Sequence, residues 1–168
     1  ANVPFIRPAE LATDTASSFD VVKHAIHYYK TQLGKPFDYL VLLQPTSPLR
    51  TGNHIKEAIE LRKKKKADAI ISISLMEHHP LKSNILPKDH SLENFQPDHV
   101  KNKRMQDLPK YYRENGAIYI IDIARFLREE TFFIKSNIYG YIMKPEESID
   151  VDTLLDFQIA ETILKKND

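Results

Sequence analysis

Apolar residues recur along this chain in two periods. From Ser17 to Leu33, the residues Phe19, Val22, Ala25, Ile26, Tyr29 and Leu33 share one helical face. Ser17 with Asp20 has the spacing of a capping box, and Gly34 suits the position just past the helix end. Tyr39 to Leu43 is a continuous apolar run, short enough for a buried strand. A second helix is predicted from about Asn53 to Lys65, with Ile55, Ala58 and Ile59 inward. Ala69 to Leu75, AIISISL, reads as the next strand, and its alternation of Ile and Ser predicts one less buried side. Ala117 to Ile123 returns to buried-strand composition, with Asn115-Gly116 as a tight turn before it. A short helix near Ala124–Glu129, a strand near Ile138–Met143 and a helix from about Thr153 to Lys166 complete the pattern. Leu155, Ile159 and Ile163 should form the inner face of that last helix.

The stretch from about Glu77 to Arg113 breaks the pattern. Pro80, Pro87, Pro97 and Pro109 punctuate it, which predicts an irregular excursion rather than another core layer. The alternation elsewhere predicts one α/β domain, its sheet mostly parallel, with helices on both faces. Ligands of such sheets lie beyond the carboxyl ends of the strands. Gln44-Pro45-Thr46-Ser47-Pro48, the MEHHPLK segment and the loop carrying Asp150 and Asp152 all fall at such ends, so one crevice is expected.

Composition narrows the chemistry. The chain has 168 residues, enough for one domain, and its 42% hydrophobic share predicts a real core. A formal net charge of +1 gives no general attraction for nucleic acid. Lys63–Lys66 closes a helix, where cations complement the carbonyl end, and no interleaved aromatics offer stacking. The absence of cysteine excludes thiolate catalysis and disulfides, and suits a cytoplasmic setting. No run is apolar and long enough to span a membrane. Four glycines cannot build a glycine-rich phosphate loop.

The prolines around Gln44, Thr46 and Ser47 fix backbone angles, and those side chains offer amide and hydroxyl groups to a polar ligand. The same hydroxyls would equally serve as local backbone caps. Asp150 and Asp152 are spaced to point the same way in extended chain, which suits Mg²⁺. A capping box of Thr153 and Asp156, or a cap by Asp152 itself, would account for one acid without needing the pair. His78-His79 point to opposite faces and make a poor chelate. Lys82, Arg104, Lys110, Tyr112, Arg113 and Tyr119 form a basic and aromatic set, either an anion site or a solvated surface. Phe132-Phe133 is most simply core packing.

Taken together and in order, LLQPTSPLR (Leu42–Arg50), RENGAIYI (Arg113–Ile120) and IDVDTLLDFQIAE (Ile149–Glu161) resemble the CMP-sialate synthetases, the acylneuraminate cytidylyltransferases. RPAELATDTASSFDVVKHAI (Arg7–Ile26) and MEHHPLK (Met76–Lys82) look like that family too, the latter closest to its bacterial N-acetylneuraminate members. The resemblance implies a Rossmann-like nucleotidyltransferase fold that moves CMP from CTP to the anomeric hydroxyl of a nine-carbon keto-sugar acid, with Mg²⁺ and release of pyrophosphate. It implies that Asp150 and Asp152 are the catalytic, metal-binding acids. It puts Gln44, Thr46, Ser47, Lys82, Arg113, Asn115, Tyr119, Phe132 and Phe133 at the substrate. It further implies a homodimer, with residues at about 84–112 as a protruding arm that crosses to the partner.

Two departures bear on activity. The family opens with a strand and a glycine-rich basic loop that grips CTP, and this chain shows no such segment, so the 168 residues are expected to be an amino-terminally incomplete domain with little turnover alone. Loss of that strand predicts a gap or an exposed sheet edge. The arginine common just before QDLP is here Met105, with Arg104 one place earlier. The alternatives are a non-catalytic dimerising or sugar-binding module, or a cytidylyltransferase for legionaminate, pseudaminate or 3-deoxy-manno-octulosonate.

Overall fold

A computed structural model describes residues 3–167. Its elements are α1 (Ser18–Thr31), β1 (Tyr39–Leu42), α2 (Gly52–Lys65), β2 (Ala69–Leu75), β3 (Tyr112–Asp122), α3 (Ile123–Glu129), β4 (Ile138–Met143) and α4 (Leu154–Asn167). The predicted caps form. Ser17 Oγ accepts from Asp20 N at 3.0 Å, and Gly34 adopts φ +60° beyond the end of α1. Thr51 and His54 exchange bonds at the start of α2, and Lys66 leaves that helix in the left-handed region.

The four strands lie in the order β1-β3-β2-β4. β3 is antiparallel to both neighbours, and β2 pairs with β4 in parallel. The α/β architecture with helices on both faces stands, but the sheet is mixed rather than mostly parallel. The cause is the excursion after β2. It leaves and re-enters at the same end of the sheet, where Met76 N donates to Tyr111 O at 2.8 Å. A strand that begins where its predecessor ended must run back against it.

Two cores flank the sheet. On one face Ile70, Ala117, Ile118, Ile120, Tyr141 and Met143 pack against α2, with Ala58 fully buried. Tyr141 donates to Glu57 Oε2 at 2.6 Å and ties β4 to that helix. On the other face Ala69, Ile121, Phe126 and Ile134 pack with Phe19, Val22 and Ile26 of α1. Phe126 has no exposed surface, and truncating such a ring to Ala costs about 3–5 kcal/mol.

One side of β2 is less buried, as expected, and it is the side of Ile73 and Leu75; Ser72 and Ser74 are fully covered, and the Ser72 hydroxyl accepts from Ile118 N of β3 at 2.7 Å. Three expectations need correction. The excursion ends before Arg113, since β3 starts at Tyr112. Asn115-Gly116 is an irregularity inside β3, not a turn before it: the register with β2 shifts between Ile71 and Ile73. Leu155 and Ile159 of α4 lie exposed, and Ala160 is buried in their stead. Periodicity identified an apolar stripe, but among the described residues little packs over it.

Candidate active site

The three strands that run in one direction end at a common rim. Beyond β1 comes the Gln44–Arg50 corner, beyond β2 the Met76–Lys82 segment, and beyond β4 the loop to Asp150 and Asp152. β3 begins at that rim and supplies Arg113, Glu114, Asn115 and Gly116. The segments expected to share a crevice thus lie at one end of the sheet, and two of them, the Gln44 corner and the Asp150 loop, meet there.

Gly116 is its floor. It adopts φ +72°, and a Cβ placed on it would overlap Gln44 Oε1 and lie 3.4 Å from Asp150 Oδ2. The Gln44 amide and the Asp150 carboxylate therefore border the same point in space, although they are far apart in sequence. Their loops are also joined directly, because Val151 N donates to Thr46 O at 2.8 Å.

Arg50 locks the corner. One guanidinium nitrogen, Nη1, donates to Gln44 O at 3.0 Å and to Ala117 O at 2.8 Å. Burial moves its pKa down from the ordinary arginine value, though the group stays charged at any physiological pH. The sequence showed Arg50 only as part of a motif. Its buried partners are carbonyls that no pattern reveals.

Asn115 is the hub beneath. Its Oδ1 accepts from Ser72 Oγ at 2.6 Å and from Ala117 N at 3.2 Å. Its Nδ2 donates to Ser148 Oγ at 2.8 Å, and Ser148 Oγ in turn donates to Lys144 O at 2.7 Å. Asn115 is 1% exposed. Ser47, equally buried, donates to Asn115 O at 3.4 Å. These side chains hold three strands and two loops in register and are spent on that task. Ser72 and Ser148 carry the same load and were missed; a serine inside an apolar strand was the one signal available for Ser72.

The carboxylates are not spent. Asp150 Oδ1 is buried and has no hydrogen-bond partner among the described residues. The cap of α4 is made by Thr153 and Asp156: Asp156 Oδ2 accepts from Thr153 N at 2.8 Å, and Asp156 N donates to Thr153 Oγ1 at 3.3 Å. Capping thus explains neither Asp150 nor Asp152. A buried anionic oxygen without a donor fits a cation. Among the described residues no three His, Asp or Glu side chains gather to form a complete metal site. Two carboxylates fit Mg²⁺ that takes its remaining ligands from phosphate and water.

Tyr119 lies near Asp150. Its hydroxyl donates to Glu114 Oε2 at 3.2 Å. Burial first, then the charges of Glu114 and Asp150, push its pKa up to about 12. Its ring packs on Phe132, which also meets Phe126 in the core. Phe133 is 55% exposed, next to Arg128, Glu129 and Lys135, away from the Gly116 floor. Arg113 lies at the rim, with only long 3.4 Å contacts to Glu114 O and Ser148 O. Lys82 Nζ reaches Lys103 O at 2.6 Å within the excursion. Arg104 is held by Asp107 through two bonds, at 2.9 and 3.1 Å. His79 is buried against Pro109 O and Leu81 N, so both ring nitrogens have structural partners. No helix among the described residues is long and apolar enough to cross a membrane.

Comparison with known proteins decides the family. No family model matches the chain. The CMP-N,N'-diacetyllegionaminic acid synthase of Legionella pneumophila is 30% identical over 173 residues, which cover 99% of this chain and 71% of that protein. The chain belongs to the acylneuraminate cytidylyltransferase family. The N-acylneuraminate cytidylyltransferase of Streptococcus agalactiae serotype III is 40% identical over 153 residues, 90% of this chain and 35% of that protein. The chain thus spans about a third of the length of that cytidylyltransferase. A solved structure of CMP:2-keto-3-deoxy-manno-octonic acid synthetase complexed with CTP superposes with a TM-score of 0.59 at 12% identity, covering 92% of this chain and 70% of that one. At that identity the likeness bears on the fold alone.

Proposed function

We propose that this chain carries the metal and acceptor-sugar side of a cytidylyltransferase site. The reaction transfers CMP from CTP to the anomeric hydroxyl of a sialic-acid-type, nine-carbon keto-sugar acid and releases pyrophosphate. The observation that carries the proposal is the convergence of Gln44 and Asp150 over Gly116.

Asp150 and Asp152 would hold Mg²⁺, which neutralises triphosphate charge and lowers the pKa of the attacking hydroxyl when bound. Gln44 offers donors and an acceptor to sugar hydroxyls, with Thr46 beside it. Ser47 and Asn115 act by positioning, since their polar atoms are already engaged. Arg113 is the rim cation with the weakest prior commitments, and it suits the sugar carboxylate better than Arg104, which Asp107 already holds. Tyr119 stays protonated at neutral pH and presents a neutral hydroxyl beside the acids. Lys82, Phe132 and Phe133 complete the sugar pocket, in part across a homodimer. The exposed Ile85, Leu86 and Leu92 of the excursion favour a partner there. A cytoplasmic setting agrees with this substrate class and with the cysteine-free sequence. The 168 residues alone should turn over CTP little, because no glycine-rich loop is present among them.

Pyrophosphate release checks the proposal, measured with CTP, Mg²⁺ and four sugar acids on the product of the complete reading frame. N-acetylneuraminate should be the fastest acceptor, ahead of legionaminate, pseudaminate and the eight-carbon acid. Asp150→Asn and Asp152→Asn should each lower the rate at least about a hundredfold with the melting temperature kept. Equal or faster use of the eight-carbon sugar rejects the sugar assignment, and full activity of either variant rejects the metal role.

A further inference from the structure

Adjacent residues at the start of β3 divide the rim by charge. Arg113 stands opposite Ser74 and Glu114 opposite Ile73 on β2. Ser74 belongs to the face of β2 that packs on α2, and Ile73 to the face toward α1 and α3, so the two side chains leave opposite sides of the sheet. On the α2 side Arg113 reaches Ser148 O at 3.4 Å. On the other side Glu114 meets Tyr119. In a regular strand residues five apart would lie on opposite faces. The irregularity at Asn115-Gly116 takes up the odd residue, and the Tyr119 hydroxyl donates to Glu114 Oε2 at 3.2 Å.

That bond decides which role Tyr119 has left. A carboxylate only accepts, and a phenol carries a single proton. With the proton on Glu114, the Tyr119 oxygen can only accept from any other group. The ring is buried against Phe132, which fixes where that oxygen sits. Burial first and Glu114 next keep the hydroxyl protonated up to about pH 12, and Asp150 is near enough for its charge to be felt there. One side of the rim thus offers acceptors and the other a guanidinium. A sugar carboxylate is repelled from the first and drawn to the second.

We propose that Glu114 determines specificity for the acceptor sugar: it holds the Tyr119 hydroxyl proton and so makes Tyr119 an acceptor for an amide N–H of the sugar acid. Glu114 is a positioning residue, acting through Tyr119. A sugar hydroxyl donates or accepts at need and gains little from a partner of fixed polarity. An amide N–H can only donate, so the fixed polarity of Tyr119 counts most for that group. An acylated amino group is also what separates the sialic-acid-type acids proposed above from the eight-carbon acid, which has none. The Glu114–Tyr119 pair would therefore favour N-acyl amino sugar acids. This assignment rests on the reaction proposed above.

Two probes test it: N-acetylneuraminate, and its analogue with an ester oxygen in place of the amide nitrogen, which keeps the shape and the carbonyl but lacks the N–H. Pyrophosphate release from CTP is measured with each, on the product of the complete reading frame. The wild type should use the amide at least about tenfold better in kcat/KM, because the ester oxygen would face the Tyr119 oxygen, acceptor against acceptor. The difference should lie in KM rather than kcat, since the contact is made away from the reacting centre. Glu114→Ala frees the Tyr119 proton to turn to the ester oxygen, so the preference should fall below about threefold. Glu114 is exposed, so the variant should fold, and Glu114→Leu, which keeps an apolar stem, serves if it does not. Tyr119→Phe should lower the preference likewise, and adding Glu114→Ala to it should change nothing more. A wild type that treats the two probes alike overturns the proposal. Equal loss on both probes in Glu114→Ala and Glu114→Leu, with the preference kept, makes Glu114 merely structural and overturns it, as does a further fall on adding Glu114→Ala to Tyr119→Phe. A wild type that releases no pyrophosphate with any sugar acid sinks the reaction and this assignment together, whereas turnover with an unmoved preference sinks this assignment alone.

Discussion

Replacing Gly116 by alanine separates the stability of this fold from the geometry of its crevice. The residue sits at φ +72°, where a side chain costs about 1–2 kcal/mol. The added methyl would also overlap Gln44 Oε1 and touch Asp150 Oδ2 at 3.4 Å. The Gln44 oxygen is the far end of a flexible side chain, so the overlap is relieved by swinging the amide away at little energy. The Asp150 contact is ordinary van der Waals distance and demands nothing. The stability loss should therefore stay near the backbone value, about 1–2 kcal/mol, which for a chain of this size lowers Tm by about 2–8 °C. The crevice should suffer far more, because the displaced amide no longer faces the acids. A double-mutant cycle with Gln44→Ala isolates the two parts. In that background Gly116→Ala should still cost the backbone share, and the coupling between the sites should be below about 1 kcal/mol. Chemical denaturation of the four proteins measures this. A neutral or stabilising Gly116→Ala would refute the left-handed assignment. A loss above about 4 kcal/mol would mean that the Gln44 amide cannot move, and that the corner is held more tightly than Arg50 accounts for.

Two further outcomes are expected. Asn115→Ala strands buried groups on Ser72, Ser148 and Ala117, so urea denaturation should show a loss of about 3 kcal/mol, well above that of Gly116→Ala; a loss under about 1 kcal/mol would mean that the hub is bridged by water. Unfolded tyrosines ionise near pH 10 and Tyr119 at about 12, so the fold holds that proton more tightly and stability should fall as pH rises from about 10 to about 12, by about 3 kcal/mol for Tyr119. Tyr141 is shifted the same way by burial and Glu57, so Tyr119→Phe should remove part of the alkaline loss rather than all of it, and an unchanged profile would contradict the assignment.

Where local pattern sufficed, the sequence was legible. β2 and β4 span the residues that their β-branched and aromatic runs predicted, and the Ser17 and Thr153 caps formed from side chains three residues apart. The first third of β3 was hidden, because Arg113, Glu114 and Asn115 read as loop until Ser72 and Ser148 satisfy the asparagine. The direction of β3 was hidden too, since it depends on the excursion returning to the rim it left. The outer stripe of α4 could be seen in the sequence, but what lies against it could not: Leu154, Leu155 and Phe157 are 73%, 64% and 54% exposed.

The polar corner between two prolines now has a mechanical account. Hydroxyl capping was one reading of Gln44-Pro45-Thr46-Ser47-Pro48, and ligand binding was the other; the structure gives Ser47 a structural bond and leaves the Gln44 amide beside Asp150 over Gly116. Ser47 is buried and bonded, and Thr46 gives its carbonyl to Val151, so the corner and the acid loop are one joint. Arg50 pins the start of that joint to β3, one residue past Gly116. With the backbone fixed at both ends, the freedom left at the crevice lies in the Gln44 amide and the two carboxylates. Those are the groups proposed above to meet a ligand, and the groups that hold the backbone, Ser47 and Asn115 among them, are buried. A joint built in this way brings Gln44, Gly116 and Asp150, from three separate segments, to one point without a separate supporting domain.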